Sequence, residues 1–411
     1  FIRTYPDPAT GYVAGYYSPL LYGSAGLEAT FNDELTGQAG NDALERTLNN
    51  LLNRPQRGAD LRLTLDSHLQ RQATDLMGDS NGSVVVMDVE TGEVLVLASN
   101  PNYDPERIFT ASPGESDEAT AYWESLIDND DAPLVLRATL GLFTPGSTFK
   151  TITAAIGIEL GLIELDEVFE DNGELNIDGR ILVENNRPDE SRDQWTVREG
   201  VAWSLNVVFA QIGLRIGGTD FWESGQEFGF GQDIPFDLPV SESQLASSRE
   251  YLRNNNAIAD TAFGQGELLV TPLYMCMVTS MYVNEGEMME PSLVDAVVDD
   301  GNVSRELEPT VWRQPISPRT AAAVEEMMVN AVENGTVSRA QVDGYTVGGK
   351  TGTAETGDGS AHSWFIGFIG DEEPRYAVAV VLEQGSGGLA DAVTIGRDIL
   401  VEAIIAPTPE D

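Results

Sequence analysis

Strand-like apolar runs stand near both ends of this chain, and much of what lies between them reads as helix. Near the start, Ser83-Val84-Val85-Val86-Met87-Asp88 and Val94-Leu95-Val96-Leu97-Ala98 flank a turn at Glu90-Thr91-Gly92-Glu93, the pattern of a hairpin. Near the end, Gly344 to Glu355, Ser363 to Gly370 and Arg375 to Glu383 show the same strand character. Runs that are apolar at nearly every position need cover on both faces, so the two ends are expected to complete one central sheet. The expected class is α/β of the α+β type.

Helical spacing fills the middle. Phe149, Ile152, Ala155, Ile156 and Leu160 mark a helix from Ser147 to Leu160, with Gly161 as its stop. Further helices are expected over Trp195 to Ile216, Thr271 to Val283 and Pro318 to Glu333, and an amphipathic one from Leu389 to Ile404. Ahead of the hairpin, Leu61 to Leu65 alternates as a strand, and Asp66 or Ser67 caps a helix through Leu76. The first stretch has little periodicity apart from a helix over Asn41 to Asn53. Asn53 to Gly58 reads as a linker, which divides the chain into an N-terminal segment, 1–57, and a main domain, 58–411.

Composition narrows the function. The 67 acidic residues against 23 basic ones give a net charge of −44, a surface that repels phosphate backbones, so no nucleic acid is expected as a partner. With 41% hydrophobic residues the chain can still bury a large core. No run approaches the roughly 18–20 apolar residues of a membrane span, and Phe1-Ile2-Arg3 resembles neither a start codon's product nor a signal peptide; a soluble piece of a longer protein is expected. Cys276 is the only cysteine, in the apolar run Leu273 to Val278, where core packing is the expectation. Two histidines without a Cys/His cluster give no reason to expect a metal, and no cofactor is expected.

Lysine is the rarest part of this inventory: only Lys150 and Lys350 occur. Arginine stays protonated at any working pH, whereas an amine in a dry pocket can lose its proton and act as a base. Lys150 closes Thr144-Pro145-Gly146-Ser147-Thr148-Phe149-Lys150, which puts Ser147 one helical turn away from it at a helix start. A neutral Lys150 could accept the Ser147 proton, giving a nucleophile and base without histidine. Backbone N–H groups at that helix start favour an oxyanion. Lys350 opens Lys350-Thr351-Gly352-Thr353. Between the two stands Ser204-Leu205-Asn206, 57 residues after Ser147. A serine three before a given lysine arises by chance about once in fifteen, and Thr-Gly after one about once in two hundred.

Ser-x-x-Lys, Ser-x-Asn and Lys-Thr-Gly in this order are the signature of penicillin-binding proteins and serine β-lactamases. The chain resembles the class B penicillin-binding proteins, monofunctional peptidoglycan D,D-transpeptidases, of the PbpA-like actinobacterial kind. The resemblance spans nearly the whole length through Gly15-Tyr16-Tyr17-Ser18, Tyr22 to Glu28, Gly264-Gln265-Gly266-Glu267, Val270 to Leu273 and His362 to Gly367. It departs from the family at Leu136-Arg137, often Asn-Arg, and at Thr144-Pro145, often Pro-Pro; neither touches a reacting group.

The resemblance implies a penicillin-recognising fold, an antiparallel five-stranded sheet flanked by helices with an all-helical subdomain, and a small pedestal-like segment before it. It further implies that Ser147 attacks a stem peptide ending in D-Ala-D-Ala, that Lys150 takes its proton, and that Ser204 and Lys350 relay it while Asn206 holds the substrate amide. The N–H groups of Ser147 and Thr353 would form the oxyanion hole. Thr351 and Thr353 would bind the terminal carboxylate, and Gly352 would admit the ligand backbone. β-Lactam antibiotics would acylate Ser147. A membrane glycosyltransferase is the implied partner, and the implied place is the cell envelope, on the outer face of the plasma membrane, with an anchor ahead of Phe1.

Three other readings compete. A D,D-carboxypeptidase shares the motifs but usually lacks the opening blocks. A β-lactamase needs a deacylating base, and Glu174-Leu175-Asn176 lacks the Glu-x-x-Leu-Asn spacing. A β-lactam sensor or scaffold would need no turnover. His362 is expected in a loop or at a strand edge, and His68 at the surface or in packing. The charge makes its own prediction: screening of −44 raises the unfolding temperature steeply between low and molar salt, and a flat or falling response would contradict it.

Overall fold

The computed structural model describes residues 3–39, 57–109, 116–306, 308–355, 360–371, 374–383 and 389–405. The helix read over Asn41 to Asn53 and most of the adjoining linker lie outside them. Five strands, β1 (Gly82–Asp88), β2 (Val94–Asn100), β3 (Thr346–Glu355), β4 (Ala361–Gly370) and β5 (Pro374–Leu382), pair antiparallel in the order β3-β4-β5-β1-β2. The two ends of the chain meet where β5 lies along β1, with Ala379 opposite Val85. Strand β3 therefore forms an edge.

Seven of the helices among the described residues bear on the cores and the site: α1 (Ser67–Met77), α2 (Lys150–Glu159), α3 (Val197–Ala202), α4 (Asn206–Glu227), α5 (Pro272–Tyr282), α6 (Pro318–Asn334) and α7 (Leu389–Ile405). Their starts follow from capping side chains. Asp66 accepts from the N–H groups of His68 and Leu69, Thr271 from that of Tyr274 ahead of α5, and Ser317 from that of Thr320 ahead of α6.

The pleat sorts the sheet residues into two cores. Val84, Val86, Val378 and Val380 pack with α1 and α7, whereas Val85, Met87, Ala377 and Ala379 pack with α5 and the helical layer beyond. Every residue of α5 is buried, because it runs between the sheet and that layer. Cys276 sits there, its thiol directed at the carbonyls of Val85 (3.6 Å) and Ala377 (3.4 Å), and burial pushes its pKa well up, so it is an inert packing residue.

Two expectations change in detail. The helix over Trp195 to Ile216 is interrupted: α3 ends at Ala202 and α4 begins at Asn206, with Ser204 between them at φ +61°. The helical subdomain also carries two ribbons, Val168–Glu170 with Gln194–Thr196 and Glu174–Ile177 with Arg180–Val183. Asp178 and Gly179, both at positive φ, make the second ribbon's turn.

Gln70 of α1 ties the N-terminal segment to the sheet. Its buried Nε2, with two hydrogens to donate, lies within reach of Ala9 O (3.0 Å), Tyr12 Oη (3.1 Å) and Leu97 O (3.2 Å), and its Oε1 accepts from Leu97 N (2.8 Å). Gln70→Leu strands those backbone groups and lowers stability by about 2–4 kcal/mol. A urea midpoint unchanged from wild type would contradict this.

Candidate active site

The site is built where β3, the turn before α2 and the break between α3 and α4 converge. Gly146–Phe149 is a 3-10 turn, continuing directly into α2 at Lys150, rather than the first turn of an α-helix. With three residues per turn, positions i and i+3 lie on one line, which brings Lys150 Nζ to 3.1 Å from Ser147 Oγ. Gly146 makes this possible at φ +56°, where a Cβ would sit 2.4 Å from Thr353 O. Gly352 meets the same turn from the strand side; a Cβ there would lie 2.5 Å from Pro145 O. The turn is thus pressed onto the edge of the sheet by two positions that tolerate no side chain. Trp364 Nε1, donating to Thr144 O at 3.0 Å, holds it from below.

At the break between the helices, Ser204 turns both its hydroxyl and its carbonyl toward the lysines. Lys150 Nζ lies 2.6 Å from Ser204 O, 2.8 Å from Asn206 Oδ1 and 3.2 Å from Ser204 Oγ. Lys350 Nζ donates to Ser204 Oγ (2.9 Å) and to Thr351 O (3.1 Å). One hydroxyl therefore bridges both amines. The two carbonyl oxygens around Lys150 can only accept, so a neutral amine spends its two N–H donors on them. Its lone pair is left for a hydroxyl, and Ser147 Oγ is within reach.

Electrostatics favour that neutral form. Both lysines are fully buried. Desolvation first, then repulsion from Lys350, drives the Lys150 pKa well below its usual range, while Glu184 opposes the shift. Burial brings Lys350 down to about 7. Two ammonium groups sharing one hydroxyl in a dry pocket repel each other, which adds to desolvation in favouring the neutral form of Lys150.

All eight residues singled out in the motifs are brought together. Ser147, Ser204, Asn206, Thr351 and Thr353 line a cleft of about 560 Å³, Lys150 and Lys350 lie beneath it, and Gly352 sets the distance between strand and turn. Thr351 and Thr353 share one face of β3. Trp364 and Phe365 are core residues on opposite faces of the sheet and do not line the cleft. His362 packs edge-on against Phe143, their ring centroids 5.3 Å apart, and His68 is exposed near Glu402. Among the described residues, no group of three or more His, Cys, Asp or Glu is arranged to hold a metal ion.

Sequence reasoning missed Glu184 and Asn186, just past the second ribbon. Asn186 Nδ2 donates to Ser204 O at 2.9 Å, and the Glu184 carboxylate accepts from Val207 N at 2.9 Å and from Asn186 N at 3.0 Å. Nothing in their local sequence separates them from surface residues.

Residues 82–401 match the family model of the penicillin binding protein transpeptidase domain, and residues 1–61 that of the penicillin binding protein A dimerisation domain. The peptidoglycan D,D-transpeptidase PbpA of Mycobacterium tuberculosis is 31% identical over 98% of this chain and 84% of that protein. The peptidoglycan D,D-transpeptidase MrdA of Escherichia coli is 26% identical over 98% of this chain and 67% of that one. Among solved structures, the penicillin G acyl-enzyme complex of penicillin-binding protein A from M. tuberculosis superposes with a TM-score of 0.88 at 30% identity, covering 98% of this chain and 94% of that one.

The buried amines carry a stability signature. An unfolded Lys350 binds its proton below about 10.5, a folded one only below about 7, so folding is penalised progressively as pH falls from 10.5 to 7 and fully below that. The penalty is on the order of 4–5 kcal/mol. Lys350→Met should therefore gain stability over wild type at pH 7 and lose that advantage towards pH 10. Urea unfolding that shows the same difference at both pH values would contradict it.

Proposed function

The chain belongs to the penicillin-binding-protein transpeptidases, and on that premise we propose that it cross-links peptidoglycan through an acyl-enzyme on Ser147. The observation that carries the reading is the single Nζ of Lys150 placed between Ser147 Oγ and two obligate acceptors. In the first half-reaction, Ser147 Oγ attacks the carbonyl of the penultimate D-alanine as Lys150 takes its proton. The N–H groups of Ser147 and Thr353 stabilise the oxyanion of the tetrahedral intermediate. The peptide bond to the terminal D-alanine then breaks, and its nitrogen receives a proton from Ser204 Oγ, which is replenished from the lysines. Asn206 orients the substrate amide, and Thr351, Thr353 and Lys350 bind the departing carboxylate. In the second half, the amine of a neighbouring stem peptide attacks the ester, forms the new peptide bond and returns the proton to Ser147.

A β-lactam presents the same carbonyl in a ring whose leaving nitrogen stays tethered, so its ester on Ser147 persists. Fast hydrolysis would need a base free to activate water. The acid that bears on Lys150, Glu184, has both carboxylate oxygens occupied by backbone donors. This favours transpeptidation over β-lactamase turnover.

Two units share the work in this reading. Residues 58–411 form the catalytic domain, and pairing of Asp60–Leu63 with Val294–Asp299 supports drawing the boundary ahead of residue 58. Residues 1–57 form a pedestal towards a membrane glycosyltransferase, supported by the dimerisation-domain match. The enzyme works in the cell envelope, held at the outer face of the membrane by a segment ahead of Phe1.

Incubation with a fluorescent penicillin at low and molar salt, followed over time, tests the reading. A stable adduct is expected, absent in Ser147→Ala. Rapid loss of label would make it a β-lactamase, and no adduct in either salt would contradict an acyl-enzyme. Lys150→Arg puts a permanently protonated guanidinium in place of the amine and cannot act as a base, so it slows acylation about 10²–10⁴-fold; labelling at the wild-type rate would remove Lys150 from the proton transfer.

A further inference from the structure

Glu184 transfers no proton in the chemistry described above, yet it is buried against the start of α4, next to the Ser204–Asn206 turn. It follows the ribbon strand Arg180–Val183, is 7% exposed, and is held in place by its own N–H, which donates to Gly173 O at 2.9 Å. One carboxylate oxygen accepts from Val207 N, in the first turn of α4, whose partial positive charge favours an anion there. The other accepts from Asn186 N, and Asn186 in turn donates to Ser204 O, the carbonyl that Lys150 Nζ touches at 2.6 Å. The carboxylate thus reaches Ser204 and Asn206 from two directions, through the start of α4 and through Asn186. Ser204 needs such a brace, because a serine at φ +61° occupies a conformation that L side chains rarely adopt.

We propose that Glu184 is a positioning residue for acylation: it fixes the Ser204–Asn206 turn against Lys150 and sets a negative charge against that buried amine. The inference rests on the role of Lys150 as the base for Ser147. The groups packed around Lys150 are Ser147 on the preceding turn, Ser204 and Asn206 between α3 and α4, the Phe209 ring of α4 at 5.8 Å, Lys350 on β3 and Glu184. Of these only Lys350 and Glu184 can carry charge. Among the nearby charged residues, Asp171 and Arg187 engage one another, Arg187 donating to Asp171 O at 3.4 Å. Lys350 makes Lys150 a weaker base and Glu184 makes it a stronger one, so the wild-type amine is held between the two.

Acylation requires neutral Lys150 and falls away on the acid side as that amine becomes protonated. Without the Glu184 charge, Lys150 is protonated only at lower pH, so Glu184→Gln should move the acid limb of penicillin acylation down by about one pH unit. Loss of the brace lowers the plateau as well. Glu184→Asp keeps a charge drawn back by one methylene, and its limb should fall between the two. A residue that merely supported the loop would lower the plateau and leave the limb in place, and that result would overturn the proposal. If Glu184→Gln fails to fold, Glu184→Asp decides alone: a limb below the wild-type position supports the proposal and an unmoved limb overturns it. Wild-type enzyme that forms no adduct, or Lys150→Arg that labels normally, would instead remove the reading on which the proposal rests.

Discussion

Two amines are buried against one hydroxyl, and the organisation of the molecule follows from that contact. Ser204 Oγ lies 3.2 Å from Lys150 Nζ and 2.9 Å from Lys350 Nζ, in a pocket where neither lysine meets solvent. Bringing them there requires three segments remote in sequence: the turn before α2, the break between α3 and α4, and the edge strand β3. The sheet provides the third because the late strands join the early hairpin with β3 outermost. Placing β3 at the edge leaves its outer side open to the turn. Absence of a Cβ at Gly146 and Gly352 then lets turn and strand meet.

Much of this was readable from the residues. The hairpin, the late strands and the capped helices α1, α5 and α6 emerged near their observed bounds, because their signals are local: β-branched alternation, Asp66, Thr271-Pro272 and Ser317-Pro318. The motif residues stood out because an amine base cannot be replaced by arginine, which made two isolated lysines conspicuous. What escaped was tertiary. Ala202-Trp203-Ser204-Leu205 has no glycine or proline to mark a break, and Ser204 takes positive φ where contacts from Lys150, Lys350 and Asn186 hold it. Glu184 was one acid among 67, indistinguishable from a solvated one until the fold carried it inside. The ribbon at Asp178-Gly179 did have a local signal, a two-residue turn of the kind that hairpins prefer, and its short strands obscured it.

The surface and the site obey opposite rules. Outside, ion pairs among the described residues use arginine, as in Arg180 with Asp260 at 2.6 Å and Arg192 with Glu199 at 2.6 Å, apart from His68 beside Glu402. Such exposed pairs contribute little each, about 0–1 kcal/mol, and leave most of the acidic charge to solvent and counterions. Inside, the only two lysines give up water altogether, which costs stability and favours their neutral forms. The same desolvation that penalises folding is, in the proposed mechanism, what fits Lys150 to act as a base.

Because the chain has only two lysines, that trade can be observed directly. Protein grown with 13C-lysine should give two side-chain Cε signals, assigned through Lys350→Met, whose shifts report protonation as pH is varied. Lys350 should titrate near 7 and Lys150 well below 10.5, with neither behaving as a solvated lysine. A Lys150 that keeps its proton up to about 10.5 would contradict the account at its centre, since Ser147 would then have no base.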